Sequence, residues 1–275
     1  MLNALLDLPI LLVGVLVIGG SAILGALIVV ALRPLVGPRQ SHEHNSVVGL
    51  GFGAAGTLYS IIAGLLVFGV WSAFDAASGY VAQEASTLTS VAHNVHEFPE
   101  PQRELAQNAI RAYTISVIND EWPALADEEG SAETERALSN VFRVFGPMEP
   151  APDWSDQYSV AYGELNDVVK LREARIDNSR APLPPIYWFL LISGGSLLLV
   201  YLAFSYTENR LIHVIAVSLM GSMLGIVCFL LLEVSQPFRG SISVSKDPFE
   251  RALVTMDLLA PTPDHADHRP VGPPR

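Results

Sequence analysis

Four stretches of this chain contain no Asp, Glu, Lys or Arg, and all four are long: residues 10–32, 47–74, 183–207 and 211–232. An α-helix rises about 1.5 Å per residue, so about 20 apolar residues cross the roughly 30 Å hydrocarbon layer of a bilayer. Each stretch passes that length. Inside lipid every backbone N–H and C=O needs a partner within the protein, which leaves helices or closed barrels. These runs are continuous rather than alternating, so they predict helices. The pattern is that of an all-α, polytopic membrane protein with four transmembrane helices and a helical extramembrane insertion between the second and third.

Beyond residue 74 the hydrophobic pattern changes period. Tyr80, Val81, Leu88, Val91 and Val95 recur at helical spacing, and no Gly-Pro punctuation intervenes before Pro99. The second membrane helix is therefore expected to continue out of the bilayer as one long helix. A further amphipathic helix is expected over 100–119 on Leu105, Ile110, Tyr113, Ile115 and Val117, closed by Glu121, Trp122 and Pro123. An acidic loop follows at 124–131, then a helix over 132–145 with Leu138, Val141, Phe142 and Phe145 inward. The next helix, capped by Asp153, runs to about residue 179, with Arg172 and Arg175 near its end, where cations suit the helix dipole. After the fourth span comes Pro237-Phe238-Arg239-Gly240 and a short helix at 249–259.

The expected organisation is a first transmembrane hairpin (1–75), an acidic helical insertion (76–182), a second hairpin (183–235), a Pro-Phe-x-Gly segment with a short helix (236–260), and a Pro-rich disordered tail (261–275). Gly49 and Gly53 form a small-xxx-small pair expected to let helices approach closely. The start of the chain lacks Lys and Arg before the first span, which fits a retained anchor better than a cleaved signal peptide.

Charge sharpens this division. Residues 75–182 hold 19 acidic against 8 basic side chains, a net of −11, while the whole chain carries −12. Such an insertion repels nucleic acid and anionic lipid headgroups. Its acidic helical surface leaves open a protein partner. The lone Cys228 lies mid-span and reads as an apolar filler. Basic residues flanking the spans favour the insertion and C-terminus facing the cytoplasm, by a weak positive-inside bias. The expected location is the bacterial cell membrane, in contact with membrane lipid.

Catalytic chemistry is scarce, and the chain reads as no enzyme, with no cofactor and no metal site. His93, His96 and Glu97 stand at a helix end on a polar face, and His42-Glu43-His44 reads as a surface loop. His213 reads as a solvated interfacial histidine. No Asp, Glu, Lys or Arg lies mid-span, which argues against a proton-driven pump. Four spans also leave little room for a substrate cavity within one chain. An oligomeric pore lined by one helix per subunit needs no such charges, because an apolar constriction can gate by dewetting. Ile61, Leu65, Phe68 and Ser72 share one face of the second helix and are the pore-lining candidates, with packing on neighbouring helices or lipid as the alternative.

The order of motifs resembles the bestrophin-like group of bacterial membrane proteins. The matching pieces are Asn45 with Gly49, Tyr59 and Trp71, Glu84, Arg111 with Tyr113, Glu121-Trp122-Pro123, Arg172 with Arg175, Leu183-Pro184, and Pro237-Phe238-x-Gly240. More distantly the chain is similar to bestrophins, pentameric anion channels. The resemblance implies a homo-oligomer whose second helix lines a narrow apolar neck. Where that family continues into an acidic calcium clasp, this chain continues Arg239-Gly240-Ser241-Ile242-Ser243-Val244-Ser245, without carboxylates. Glu121, Trp122, Pro123, Arg111, Arg172 and Arg175 are expected to hold the insertion together through buried pairs and packing. A non-conducting membrane scaffold, with the insertion docking a protein, is the alternative.

Overall fold

The computed structural model describes residues 8–35, 42–180 and 183–259. In chain order the elements are α1 (Ile10–Leu32), α2 (His42–His96), α3 (Gln102–Ser116), a π-helical turn (Val117–Glu121), α4 (Trp122–Ala126), α5 (Ala132–Phe145), α6 (Ser155–Ser179), α7 (Pro185–Ala203), α8 (Arg210–Val234) and α9 (Asp247–Leu259). No strand occurs among the described residues. The helices α1, α2, α7 and α8 are each long and apolar enough to cross a membrane. The chain divides into two compact units, one of residues 1–77 and 179–244, the other of 78–178 and 245–275. The expected disordered tail, the anchor-like first seven residues and the Arg39 part of the first loop lie outside the described residues.

In the first unit α1 packs on α8, and glycines set the separation. A Cβ on Gly25 would sit 2.7 Å from the Val217 carbonyl oxygen, and one on Gly225 2.8 Å from the Ile18 Cα. A Cβ on Gly221 would strike the Ser21 carbonyl oxygen. Backbone meets backbone here, so only hydrogen fits. Gly49 and Gly53, by contrast, have nothing within 4 Å of a built Cβ. Within the chain the close crossing lies at Gly25, Gly221 and Gly225, which face a helix of the same subunit.

The membrane part of α2 rests on α7 and α8. Ala63 and Val70, flanked by Tyr59, Leu66, Val67 and Phe74, pack against Leu191, Leu231 and Val234. The Tyr59 hydroxyl donates to the Leu191 carbonyl at 2.8 Å, satisfying a polar group in an apolar setting. At the start of α2 the Asn45 amide donates to the Tyr206 carbonyl (2.7 Å) and accepts from the Tyr206 N–H (2.8 Å), clamping the α7–α8 turn. His213 is a correction: it is buried, not solvated, and its Nε2 lies 3.4 Å from the Ser205 hydroxyl. The turn folds back over it.

The second unit is a helical bundle built on an apolar stripe of α2. Val81, Ala85, Leu88, Val91 and Val95 are all buried. Phe98, Phe145, Trp154 and Tyr158 form an aromatic cluster, with Phe98 and Trp154 ring centroids 4.9 Å apart. On α3 the inward stripe is Ala106, Ala109, Ile110 and Tyr113, while Leu105 is exposed. The Ser131 hydroxyl caps α5 by accepting from the N–H groups of Glu133 and Thr134.

The expected stop at Glu121-Trp122-Pro123 is also corrected. The chain does not end its helix there. It widens into the π turn, where the Trp122 N–H bonds the Val117 carbonyl five residues back, and it resumes as α4. Proline has no N–H to contribute to the ladder, and Pro123 sits in the first turn of α4, where none is needed. The acidic loop expected over 124–131 correspondingly begins only after Ala126.

Candidate functional site

Two sets of residues carry the functional question, one in each unit. In the membrane unit the stripe Ile61, Leu65, Phe68 and Ser72 is exposed, with Ile61 at 56%, Leu65 at 66% and Phe68 at 70%. At about 100° per residue, this stripe centres about 180° from the face of Tyr59, Ala63, Leu66, Val67, Val70 and Phe74 that packs on α7 and α8. It is the face of α2 turned furthest from its own subunit. It is aliphatic and aromatic over three positions and ends in one hydroxyl. Trp71 lies beside it, exposed, with its ring stacked on Phe74 at 6.1 Å between centroids.

The same unit holds the segment after α8. Pro237 and Phe238 are buried, and the Val244 N–H donates to the Pro237 carbonyl at 2.7 Å. Gly240 has φ 87°, a left-handed conformation that glycine adopts without steric cost. This accounts for glycine at that place in the Pro-Phe-x-Gly segment.

In the second unit the sequence-distant charges converge. Arg175 is fully buried, and its Nε donates to Glu84 Oε2 at 2.9 Å. Its Nη2 donates to Glu84 Oε1 at 3.2 Å and to Glu121 Oε2 at 2.8 Å. Arg172 donates through Nε and Nη2 to Glu121, the shortest at 2.7 Å, and its Nη1 pairs with Glu135. The Tyr113 hydroxyl donates to Glu84 Oε1 at 2.7 Å. The Arg175 guanidinium also stands 5.5 Å from the Phe249 ring centroid and 6.0 Å from that of Trp122, within cation–π range. Two buried arginines thus face two buried glutamates. The charge balances, and the donors are planar and bidentate, as desolvated ion pairs require.

The π turn makes this geometry. It bulges the helix at Val117–Glu121 and aims Glu121, fully buried, between both arginines. Burial alone would lower the affinity of Arg175 for its proton, but Glu84 and Glu121 outweigh it and hold the proton well above the ordinary arginine range. Arg172 behaves likewise, burial opposing and Glu121 prevailing. Burial, and then the neighbouring Glu84 charge, keep Tyr113 neutral well above the usual tyrosine range.

Arg111 does not join this cluster. It pairs at the surface with Asp257, Nε to Oδ1 at 2.7 Å, with the two side chains 46% and 50% exposed. The expected buried pair at Arg111 is therefore corrected to a solvated one, because the residue lies on the outer side of α3. Tyr113 was expected on the apolar stripe of its helix and beside Arg111, not as a partner of Glu84, and neither Glu135 nor Phe249 was expected at the cluster. Nothing in local spacing links Glu84 to Tyr113 across 29 residues or Phe249 to Arg175 across 74. His93 and His96 are both exposed, and among the described residues no three His, Cys, Asp or Glu side chains are placed to hold a metal.

Comparison with known proteins follows the same lines. Solved structures with a similar fold include a point mutant of a bacterial bestrophin homologue from Klebsiella pneumoniae. It is 13% identical, with TM-score 0.69 over 88% of this chain and 96% of that one. The same homologue solved by Zn-SAD phasing is 12% identical, with TM-score 0.67 over 90% and 99%. A further structure, described only as a membrane protein with one substitution, is 13% identical, with TM-score 0.69 over 89% and 99%. No curated protein sequence matches the chain. The Bestrophin-like domain matches residues 19–249, nearly the whole described length, and the chain belongs to the bestrophin-like family.

Proposed function

We propose that this chain is one subunit of a homo-oligomeric ion channel in the bacterial cell membrane, with α2 lining the pore through Ile61, Leu65, Phe68 and Ser72. The observation that carries the reading is the outward stripe of α2, diametrically opposite the face that packs on α7 and α8. A helix arranged so can present a continuous apolar ring when copies gather around an axis, and such a ring conducts when wetted and closes when dry. Family membership supports the same reading. In this reading the acidic insertion and the C-terminus face the cytoplasm. The glutamate–arginine cluster holds the insertion rigid and takes no part in conduction.

The resemblance to bestrophins implies anion selectivity, whereas the net charge of −11 on residues 75–182 disfavours anions approaching from that side. Reversal potentials across chloride and across sodium or potassium gradients decide between them. The experiment is planar-bilayer recording of the purified, detergent-solubilised protein, together with its mass in detergent. Single-channel steps from an oligomer support the proposal. Silence across both gradients from an intact oligomer overturns it and leaves a membrane scaffold whose insertion binds a protein partner.

A further inference from the structure

The second unit contains a small, partly open cavity that the channel reading does not use. Its volume is about 150 Å³, and it lies between α3, α9 and the end of α2. Ala92, Ile110, Met256 and Leu259 form its apolar walls, and Glu104, Gln107, Asn108 and Arg111 its polar ones. The polar residues stand one helical turn apart on α3, so they share a face.

One buried donor there has no acceptor. Gln107 Nε2 is buried without a hydrogen-bond partner among the described residues. Arg111 uses Nε on Asp257, which leaves the outer edge of its half-exposed guanidinium, Nη1 and Nη2, open to a ligand. A buried donor left unmade costs about 1–3 kcal/mol, so a structure that keeps one beside an open cavity favours an occupant with oxygen acceptors. A carboxylate supplies two, and a guanidinium receives it in a planar fork. The local charge limits the choice further. Arg111 is already balanced by Asp257, and Glu104 adds a negative charge to the wall. A free anion would meet net repulsion, whereas a molecule with no net charge and a cationic group for Glu104 would not. Liquid water takes about 30 Å³ per molecule, so the cavity accepts a ligand of about five to eight non-hydrogen atoms.

We propose that this cavity binds a small aliphatic α-amino acid as its zwitterion. The carboxylate lies on Gln107 and Arg111, the ammonium on Glu104, and the side chain against Ala92, Ile110, Met256 and Leu259. The site is independent of whether α2 lines a pore.

Saturation-transfer NMR and calorimetry on the full-length protein in detergent test it, with valine as probe. Isovalerate lacks the ammonium and isobutylamine lacks the carboxylate, so these serve as the two fragment controls. Saturable valine binding is expected, at least tenfold tighter than either fragment. Arg111→Gln, Gln107→Leu and Glu104→Gln are each expected to weaken it tenfold or more. Arg111 and Glu104 are exposed, so these two variants should melt as the parent does, and melting curves verify it. Absence of saturable valine binding overturns the proposal. So does either fragment matching valine, or undiminished binding in a folded Arg111→Gln or Glu104→Gln protein.

Discussion

Replacing Arg175 by Met tests the central claim about the second unit, that its rigidity rests on a balanced buried charge cluster. The side chain is fully buried and donates three hydrogen bonds to Glu84 and Glu121. Methionine fills much of the same volume, so the loss is mainly electrostatic. What remains is two buried glutamates facing Arg172 alone, one uncompensated negative charge out of water. Breaking a buried pair by removing one partner costs about 3–5 kcal/mol. For a chain of this size each kcal/mol moves the melting point by about 2–4 °C, so a fall of roughly 6–20 °C is expected. The assay is tryptophan fluorescence during thermal unfolding in detergent, with Trp122 and Trp154 reporting on the second unit. The double variant Glu84→Gln, Arg175→Met restores neutrality beside Tyr113. It should recover about 1–2 kcal/mol of the loss through direct coupling of neighbouring sites. A shift under about 2 °C for the single variant, or a double variant equal to the sum of the singles, would refute the reasoning.

Other perturbations follow from the same geometry. Gly221→Val drives a side chain into the Ser21 backbone and should cost at least about 3 kcal/mol, seen as lost monodisperse protein. Gly19→Ala, in open space, should be neutral or stabilising by up to about 1 kcal/mol. Phe68→Ala should raise unitary conductance several-fold in bilayers, and an unchanged conductance would remove the α2 stripe as the constriction. Tyr113 should resist ionisation when absorbance near 295 nm is followed upward from pH 9. Its folded pKa lies above the unfolded value near 10, so its contribution to stability is present below about pH 10 and is lost as pH rises beyond it.

The spans and the amphipathic helices were legible because each is written in local periodicity, as α5 shows by matching the expected 132–145. What local pattern misses is partner choice. Gly25, Gly221 and Gly225 make the crossing within the chain, and local pattern did not single them out, since which face meets a neighbour depends on a helix nearly 200 residues away. Pro123 reads as a stop because a sequence shows the missing N–H but not the π turn that absorbs it. Buried pairs were expected of Glu121, Arg172 and Arg175, whereas Glu84 was not expected to be their partner. Arg111, of the same type, lies on the solvent side of α3, and exposure was not readable from its neighbours alone.

The embrace of α1 and α8 has a consequence for biosynthesis. The α1 segment leaves the ribosome well before α8, the helix on which it packs. At about 5–20 residues per second, Gly221 is translated roughly 10–40 s after Gly25. For that interval the glycine-lined groove of α1 must be held by lipid or by the insertion machinery. A nascent chain arrested before the fourth span would therefore expose it, and chemical cross-linking from position 25 should shift from those holders to α8 only once translation passes residue 225.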